Sequence, residues 1–346
     1  TVPCTPHELP VEQWDPNGVY ACLANSTKHV SLPVWHPDGF RYTIELAAIV
    51  AGGYEALRKR PLISAIASVF SPLMMDDMYT NIQLMAVDYG IPLIPTTAPI
   101  CGATAPITLA GGILLANVEA LEGVILSQLA KPGAPVLYAD AISVADPMSL
   151  SAAPGAAEMG LINAAGAQMA QYYKIPIYST SGMTDAKIPD IQAGYEKALS
   201  SLIVALSGAN YIHDAVGLLG FGTTVCYEQY VIDDEINGMI MRIVRGIDVN
   251  EDALAADLIK SIGPRGAFCN LKHTVKHLRT ELFIPRVSDR EPTRDVWLAK
   301  GGKDTREIAR ERVKKILQSH KPAPIPADID KQIRESMPNI VYKDSN

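Results

Sequence analysis

A rhythm of alternating segments constrains this chain more than any other feature. Six times between Lys28 and Arg245 a short apolar run is followed by a polar or Gly/Pro loop and then by a helical stretch of several turns. Strands are expected over His29–Pro33, Leu62–Phe70, Ile91–Thr96, Pro135–Asp140, Ile175–Thr180 and Asn210–His213. Helices are expected over Thr43–Arg60, Met75–Tyr89, the stretch through Ala130, Pro154–Tyr173, Pro189–Ser207 and Cys226–Arg245. Strands alternating with helices imply parallel pairing through right-handed crossovers. The runs LISAIASVF, PVLYAD and IPIYST are apolar on both faces, as a parallel sheet covered by helices on both sides requires.

Two architectures satisfy this pattern, a (β/α)8 TIM barrel and an open doubly wound sheet. No GxGxxG follows the first strand and no GxxxxGK[ST] occurs, so the nucleotide-binding open sheets lose their usual signature. The barrel is favoured. It takes eight strands, and six are visible, so the expectation is either two strands lying before Thr1 or an open sheet. The fold class read from the chain is α/β: a barrel over residues 1–246 whose first strands are missing, with a helical C-terminal extension over 247–346. That extension is expected over Glu251–Ile262, Thr274–Phe283, Asp304–His320 and Asp328–Met337, with a proline-rich break at Lys321–Pro326.

Composition excludes some function classes. A net charge of −7 gives no basic surface for nucleic acid or anionic lipid. The five cysteines are scattered without a CxxC pair, which fits free thiols in a reducing cytoplasm and no zinc-site spacing. The run Ile107–Leu129 is broken by Asn117, Glu119 and Glu122 and reads as a buried helix, not a membrane span. No signal peptide is recognised, and a cytoplasmic homo-oligomer is expected.

Barrel chemistry sits at the C-terminal ends of strands. In order these ends carry His29 and Ser31, Ser68 and Ser71, Thr96 and Thr97, Asp140, Ser179 to Ser181, then His213 and Asp214. Hydroxyls dominate. No lysine stands where a Schiff base would form, no carboxylate triad suggests Mg2+, and no metal ligands are expected. The candidate substrate-binding residues are His213, Phe221, Asp140, Asp214 and Thr97, with no catalytic group assigned. The loop Asp214–Thr224 is punctuated by Gly217, Gly220 and Gly222, which lets it wrap closely round a small ligand. Phe221 on that loop suits cation–π contact with a quaternary ammonium, or alternatively plugs the loop from below. Asp140 either holds a cation or caps a helix, and His213 either meets a carboxylate, moves a proton or is a bonded core histidine. Tyr227 and Glu228 fall at a helix start, where Glu228 favours the dipole or caps with Thr224.

Several blocks carry a family likeness: NSTKHVSLP (25–33), PTTAPICGATAPITLAGGILLANVEALEGVIL (95–126), DIQAGYEKALSSL (190–202), YEQYVIDDEI (227–236) and ERVKKILQSHKPAPIPADID (311–330). They resemble the trimethylamine methyltransferase family. The resemblance implies a (β/α)8 barrel and transfer of a methyl group from a methylated amine to the cobalt of a separate corrinoid protein. The trimethylamine enzymes carry pyrrolysine, whereas this chain has only the twenty standard residues. It is therefore similar to the non-pyrrolysine branch, which demethylates quaternary amines such as glycine betaine, proline betaine or carnitine. In the glycine betaine type a histidine and a phenylalanine after the last strand line the substrate, and His213 and Phe221 match that pattern. The corrinoid-ligating pattern DxHxxG is absent, since the residues around His213 read YIHDAVG. The cobamide is accordingly expected on a partner and not on this chain. The rival readings are a non-catalytic quaternary-amine binding protein and a barrel lyase or isomerase with His213 as general base.

Overall fold

The computed structural model describes residues 2–323 and 325–341, so Pro324 of the proline-rich break lies outside the described residues. The main sheet is formed by β1 (Val30–Pro33), β2 (Ile63–Ile66), β3 (Leu93–Ile94), β4 (Tyr138–Ala139), β5 (Ile177–Thr180) and β6 (Tyr211–His213). All pairings are parallel and follow chain order. Ser31 pairs with Ser64, Ile66 with Ile94, Ala139 with Tyr178 and Thr180 with His213, and a Leu93–Val136 bridge joins β3 to β4. The phenols of Tyr178 and Tyr211 reach Ser31 on the opposite edge strand, so the sheet curls until its last strands face its first. Among the described residues β1 and β6 share no ladder. What the pairing establishes is a curled six-stranded parallel sheet in a mixed α/β fold.

The helices are α1 (Trp14–Asn25), α2 (Pro37–Ala51), α3 (Tyr54–Lys59), α4 (Asp77–Tyr89), α5 (Leu109–Ala130), α6 (Ala157–Tyr173), α7 (Ile191–Leu206) and α8 (Tyr227–Val244). Local chemistry sets their ends. Asp76 accepts from the Met78 and Tyr79 amides to start α4, and Gly90 at φ 73° stops it by bonding back to Ala86 and Val87. The single helix expected over Thr43–Arg60 is in fact two. It starts earlier, with Pro37 in its first turn and His36 capping the Asp38 amide, and it breaks at Gly52 and Gly53 (φ 87° and 120°). α5 has the length and composition of a membrane span, yet its Asn117, Glu119 and Ser127 are buried in the protein. Asn117 meets the Tyr138 and Tyr173 hydroxyls, and Glu119 accepts from Ser71, Thr97 and the Leu73 amide. Burial of those groups between sheet and helix follows the rule that interior polar atoms find partners.

After α8 come α9 (Glu251–Leu254), α10 (Ala256–Ile262), α11 (Lys272–Glu281), α12 (Arg294–Ala299), α13 (Thr305–Ser319) and α14 (Ala327–Ser336). Ala255, at φ 48°, divides the stretch expected as one helix over Glu251–Ile262. The C-terminal segment returns to the body: Ile333, Met337 and Ile340 are buried in the same cluster as Val30, Leu32 and Phe40. Asn17 ties it by accepting from the Val341 amide and donating to the Asn339 carbonyl. α13 opens with a reciprocal capping box between Asp304 and Glu307 and lies along α8, where Arg310 pairs with Glu228 at 2.9 Å. Glu228, expected to favour the helix dipole or cap with Thr224, stands in the first turn of α8 as the dipole reading has it, and also tethers the two helices. Glu235, 5% exposed, receives the backbone amides of Arg286, Val287 and Ser288 and the Ser288 hydroxyl. Glu235→Ala strips four donors of their acceptor and is expected to cost about 2–4 kcal/mol, read as a fall in denaturant midpoint.

Candidate functional site

The alternation of β-strand side chains decides what faces the hollow of the curled sheet. Ser31, Ser64, Ile66, Ile94, Ala139, Tyr178, Thr180, Tyr211 and His213 stand in register on the inner side. Ile94, Ala139 and Tyr178 pack with Ile66, Leu137 and Tyr211 into an apolar floor. Above that floor, at the C-terminal ends of β5 and β6, Thr180, His213 and Asp214 come together.

His213 lies flat on Tyr178, with ring centroids 4.2 Å apart and planes 10° from parallel. Its Nδ1 is 3.0 Å from the Ser179 carbonyl and its Nε2 is 2.9 Å from Asp214 Oδ2. Both ring nitrogens are thus engaged within the protein. Asp214 also accepts from the Thr180 hydroxyl at 3.2 Å. Burial pushes the Asp214 carboxyl up, but His213, the Thr180 hydroxyl and the Lys197 ammonium outweigh it and hold the group below the usual carboxylate value. A carboxylate that stays ionised, 27% exposed, therefore sits at the mouth of the hollow. Asp214 takes φ 64°, a left-handed backbone that aspartate tolerates better than most residues, and this turns its side chain back onto His213.

The glycine loop that follows is a short hairpin, Leu218–Leu219 against Thr224–Val225. Gly220 and Phe221 donate their amides to the Ala186 and Thr184 carbonyls. Phe221 rides at the turn with φ 63° and is 47% exposed. Trp35 and Phe70, on the loops after β1 and β2, are likewise exposed aromatics at the C-terminal end of the sheet.

The other two candidates lie elsewhere. Thr97 and Asp140 bridge each other on the side of the backbone that faces the helices. Thr97 donates to Glu119 on α5. Asp140 is fully buried, accepts from Ser179 at 3.1 Å, and presses its second oxygen against Gly166 of α6 without a hydrogen-bond partner. Burial raises its carboxyl from 3.8 to about 7. Neither side chain shares the hollow with His213.

Sequence reading missed the pair that fixes the loop. Lys197 on α7 and Asp233 on α8 are each 1% exposed and meet at 3.2 Å. Lys197 also donates to the Gly182 and Leu218 carbonyls, while Asp233 takes the Gly217 amide at 2.8 Å and the Gln229 amide nitrogen at 2.7 Å. Burial drives the Lys197 ammonium down and the Asp233 carboxyl up, and their mutual attraction opposes both shifts. Gly217 must be glycine, because a Cβ at its φ of 80° would run into the Tyr230 ring. The face that Lys197 shares with Ala193, Ser200, Ser201 and Val204 is small and polar, so the chain carried no strong local signal for the pair.

Polar groups grouped at the C-terminal ends of parallel strands, over an apolar floor, are the layout in which α/β enzymes take small molecules. The family model described as trimethylamine methyltransferase (MTTB) matches residues 1–339, and the chain belongs to that family. It is 39% identical over 310 residues to trimethylamine methyltransferase MttB of Desulfitobacterium hafniense, covering 90% of this chain and 62% of that protein. It is 32% identical over 316 residues to a glycine betaine methyltransferase of the same species, covering 91% of this chain and 66% of that protein. Trimethylamine methyltransferase MttB of Methanosarcina barkeri is 37% identical over 317 residues, covering 90% and 63%. The chain thus spans a little under two thirds of the length of these relatives.

Proposed function

We propose that this protein transfers a methyl group from a quaternary amine, glycine betaine in the first instance, to the cobalt(I) of a separate corrinoid protein. The observation that carries the reading is the ionised Asp214 carboxylate held by His213 over the Tyr178 floor, beside a loop presenting Phe221. A quaternary ammonium wants a negative charge, aromatic faces and no water, and its methyl group is already electrophilic. Asp214 offers the charge and the exposed Phe221 the ring, while His213, stacked on the buried Tyr178, holds Asp214 in place. In this role His213 is a positioning residue, with both nitrogens engaged. The corrinoid acceptor is a second substrate: its cobalt(I) electron pair forms the new carbon–cobalt bond while the C–N pair stays on nitrogen, leaving dimethylglycine. What this chain must do is bind, desolvate and aim one methyl outward. We further propose that the curled sheet belongs to a (β/α)8 barrel, which the chain-order parallel pairing and the Tyr–Ser31 approach across the hollow support.

Purified protein with glycine betaine and cob(I)alamin or a reduced corrinoid protein is expected to yield dimethylglycine and methylcobalamin. Phe221→Ala should raise the betaine concentration for half-maximal rate by roughly 3- to 30-fold, the worth of one cation–π contact. Trimethylamine and carnitine run in parallel identify the preferred donor. No methyl transfer from any of them by folded protein would sink the proposal.

A further inference from the structure

Between Asn250 and Glu281 the chain forms α9, α10 and α11, and none of these helices buries a residue. Apolar packing therefore contributes little to holding this excursion in shape. Its organising contacts are polar and converge on one point. His273 and His277 stand one turn apart on the same face of α11, their rings 4.5 Å between centroids. Both Nε2 atoms turn towards Asp252 on α9: that of His277 is 3.0 Å from Asp252 Oδ2, and that of His273 is 2.9 Å from the Asp252 carbonyl. One ligand atom from each of the three residues lies within 4.8 Å of the other two.

We propose that Asp252, His273 and His277 form a binding site for a divalent transition metal, Zn2+ above all. Two imidazoles and one carboxylate suit zinc, nickel or cobalt and not the oxygen-seeking magnesium or calcium. A histidine pair at i and i+4 presents two nitrogens on one helix face, and the third ligand comes from a different helix. The metal consequently clips α9 to α11. For a segment with so little buried apolar surface, that link supplies order the core does not. The remaining coordination positions are open to water. Lys276, whose Nζ is 2.6 Å from the same Asp252 oxygen, is the built-in competitor and leaves when the metal enters.

The test uses the full chain, stripped with chelator and titrated calorimetrically with ZnCl2, with MgCl2 and CaCl2 in parallel. Hydrogen exchange of residues 250–281 is followed with and without zinc. One zinc per chain is expected, with slowed exchange confined to this segment and no heat from magnesium or calcium. His277→Ala should weaken binding by roughly tenfold or more, since even outer-shell changes cost that much. Lys276→Met should tighten it, an outcome that a merely structural role for the cluster does not produce. Cys269→Ser, which removes an exposed thiol nearby, should leave it unchanged. The proposal is overturned if wild type takes up no zinc, or if the His273→Ala/His277→Ala protein binds it as tightly as wild type.

Discussion

Replacing Lys197 with methionine is expected to destabilise the protein by about 3–5 kcal/mol, the usual result of stranding one member of a buried ion pair. Asp233 would be left without its counter-ion in a site that is 1% exposed, with only the Gly217 and Gln229 donors, and must either bear an unpaired charge or take up a proton. The Gly182 and Leu218 carbonyls would lose their donor at the same stroke. Because these groups anchor the start of the Phe221 hairpin at Gly217 and Leu218, hydrogen exchange over residues 214–225 should rise more than over β1 to β3. The double replacement Lys197→Met/Asp233→Leu removes both charges and should recover most of the loss. Urea denaturation of the four proteins forms a double-mutant cycle with a large coupling term. A single variant within about 1 kcal/mol of wild type would mean that the pair is far less buried than its geometry says.

Asp140 provides the second large effect, and its sign can be worked out. The folded carboxyl titrates at about 7 and the unfolded one near 3.8. Folding therefore takes up a proton between those values, and the stability it provides is present in acid and lost as pH rises towards 7. From pH 5 to pH 8 the wild type should lose about 3 kcal/mol from this group alone. Asp140→Asn cannot ionise, so its stability should fall less over the same interval, and the difference between the two proteins should grow with pH in favour of the variant. Parallel pH-dependent slopes would assign Asp140 an ordinary titration and contradict its complete burial. The cause of that burial is Gly166: with no Cβ there, α6 closes directly onto the carboxylate.

How much of this was legible in the chain follows from the range of each signal. The six strands, their parallel pairing and the helices between them are written in local apolar runs, glycines and caps, and all six appear where expected. The kink between α2 and α3 was written there too, in Gly52 and Gly53, but two adjacent glycines state only that a helix is weakened, not that it ends. The loop Asp214–Thr224 with His213 before it is legible as a candidate site because His213, Asp214 and Phe221 are close in sequence. Thr97 and Asp140 were grouped with them because strand ends all look alike in one dimension. The pleat then put them on the other side of the backbone, towards Glu119 and Gly166.

The zinc cluster shows the same limit. The spacing His273-x3-His277 is visible to the eye, but a third ligand 21 residues earlier is not, and without it the pair is an ordinary helix face. Short-range chemistry thus determined the order of the elements, the family resemblance and the identity of the loop that carries Asp214 and Phe221. Only the tertiary structure decided which strand-end groups share the hollow, and that Lys197 and Asp233 brace it. Those facts depend on side-chain direction and on contacts between elements tens of residues apart, which no local propensity encodes.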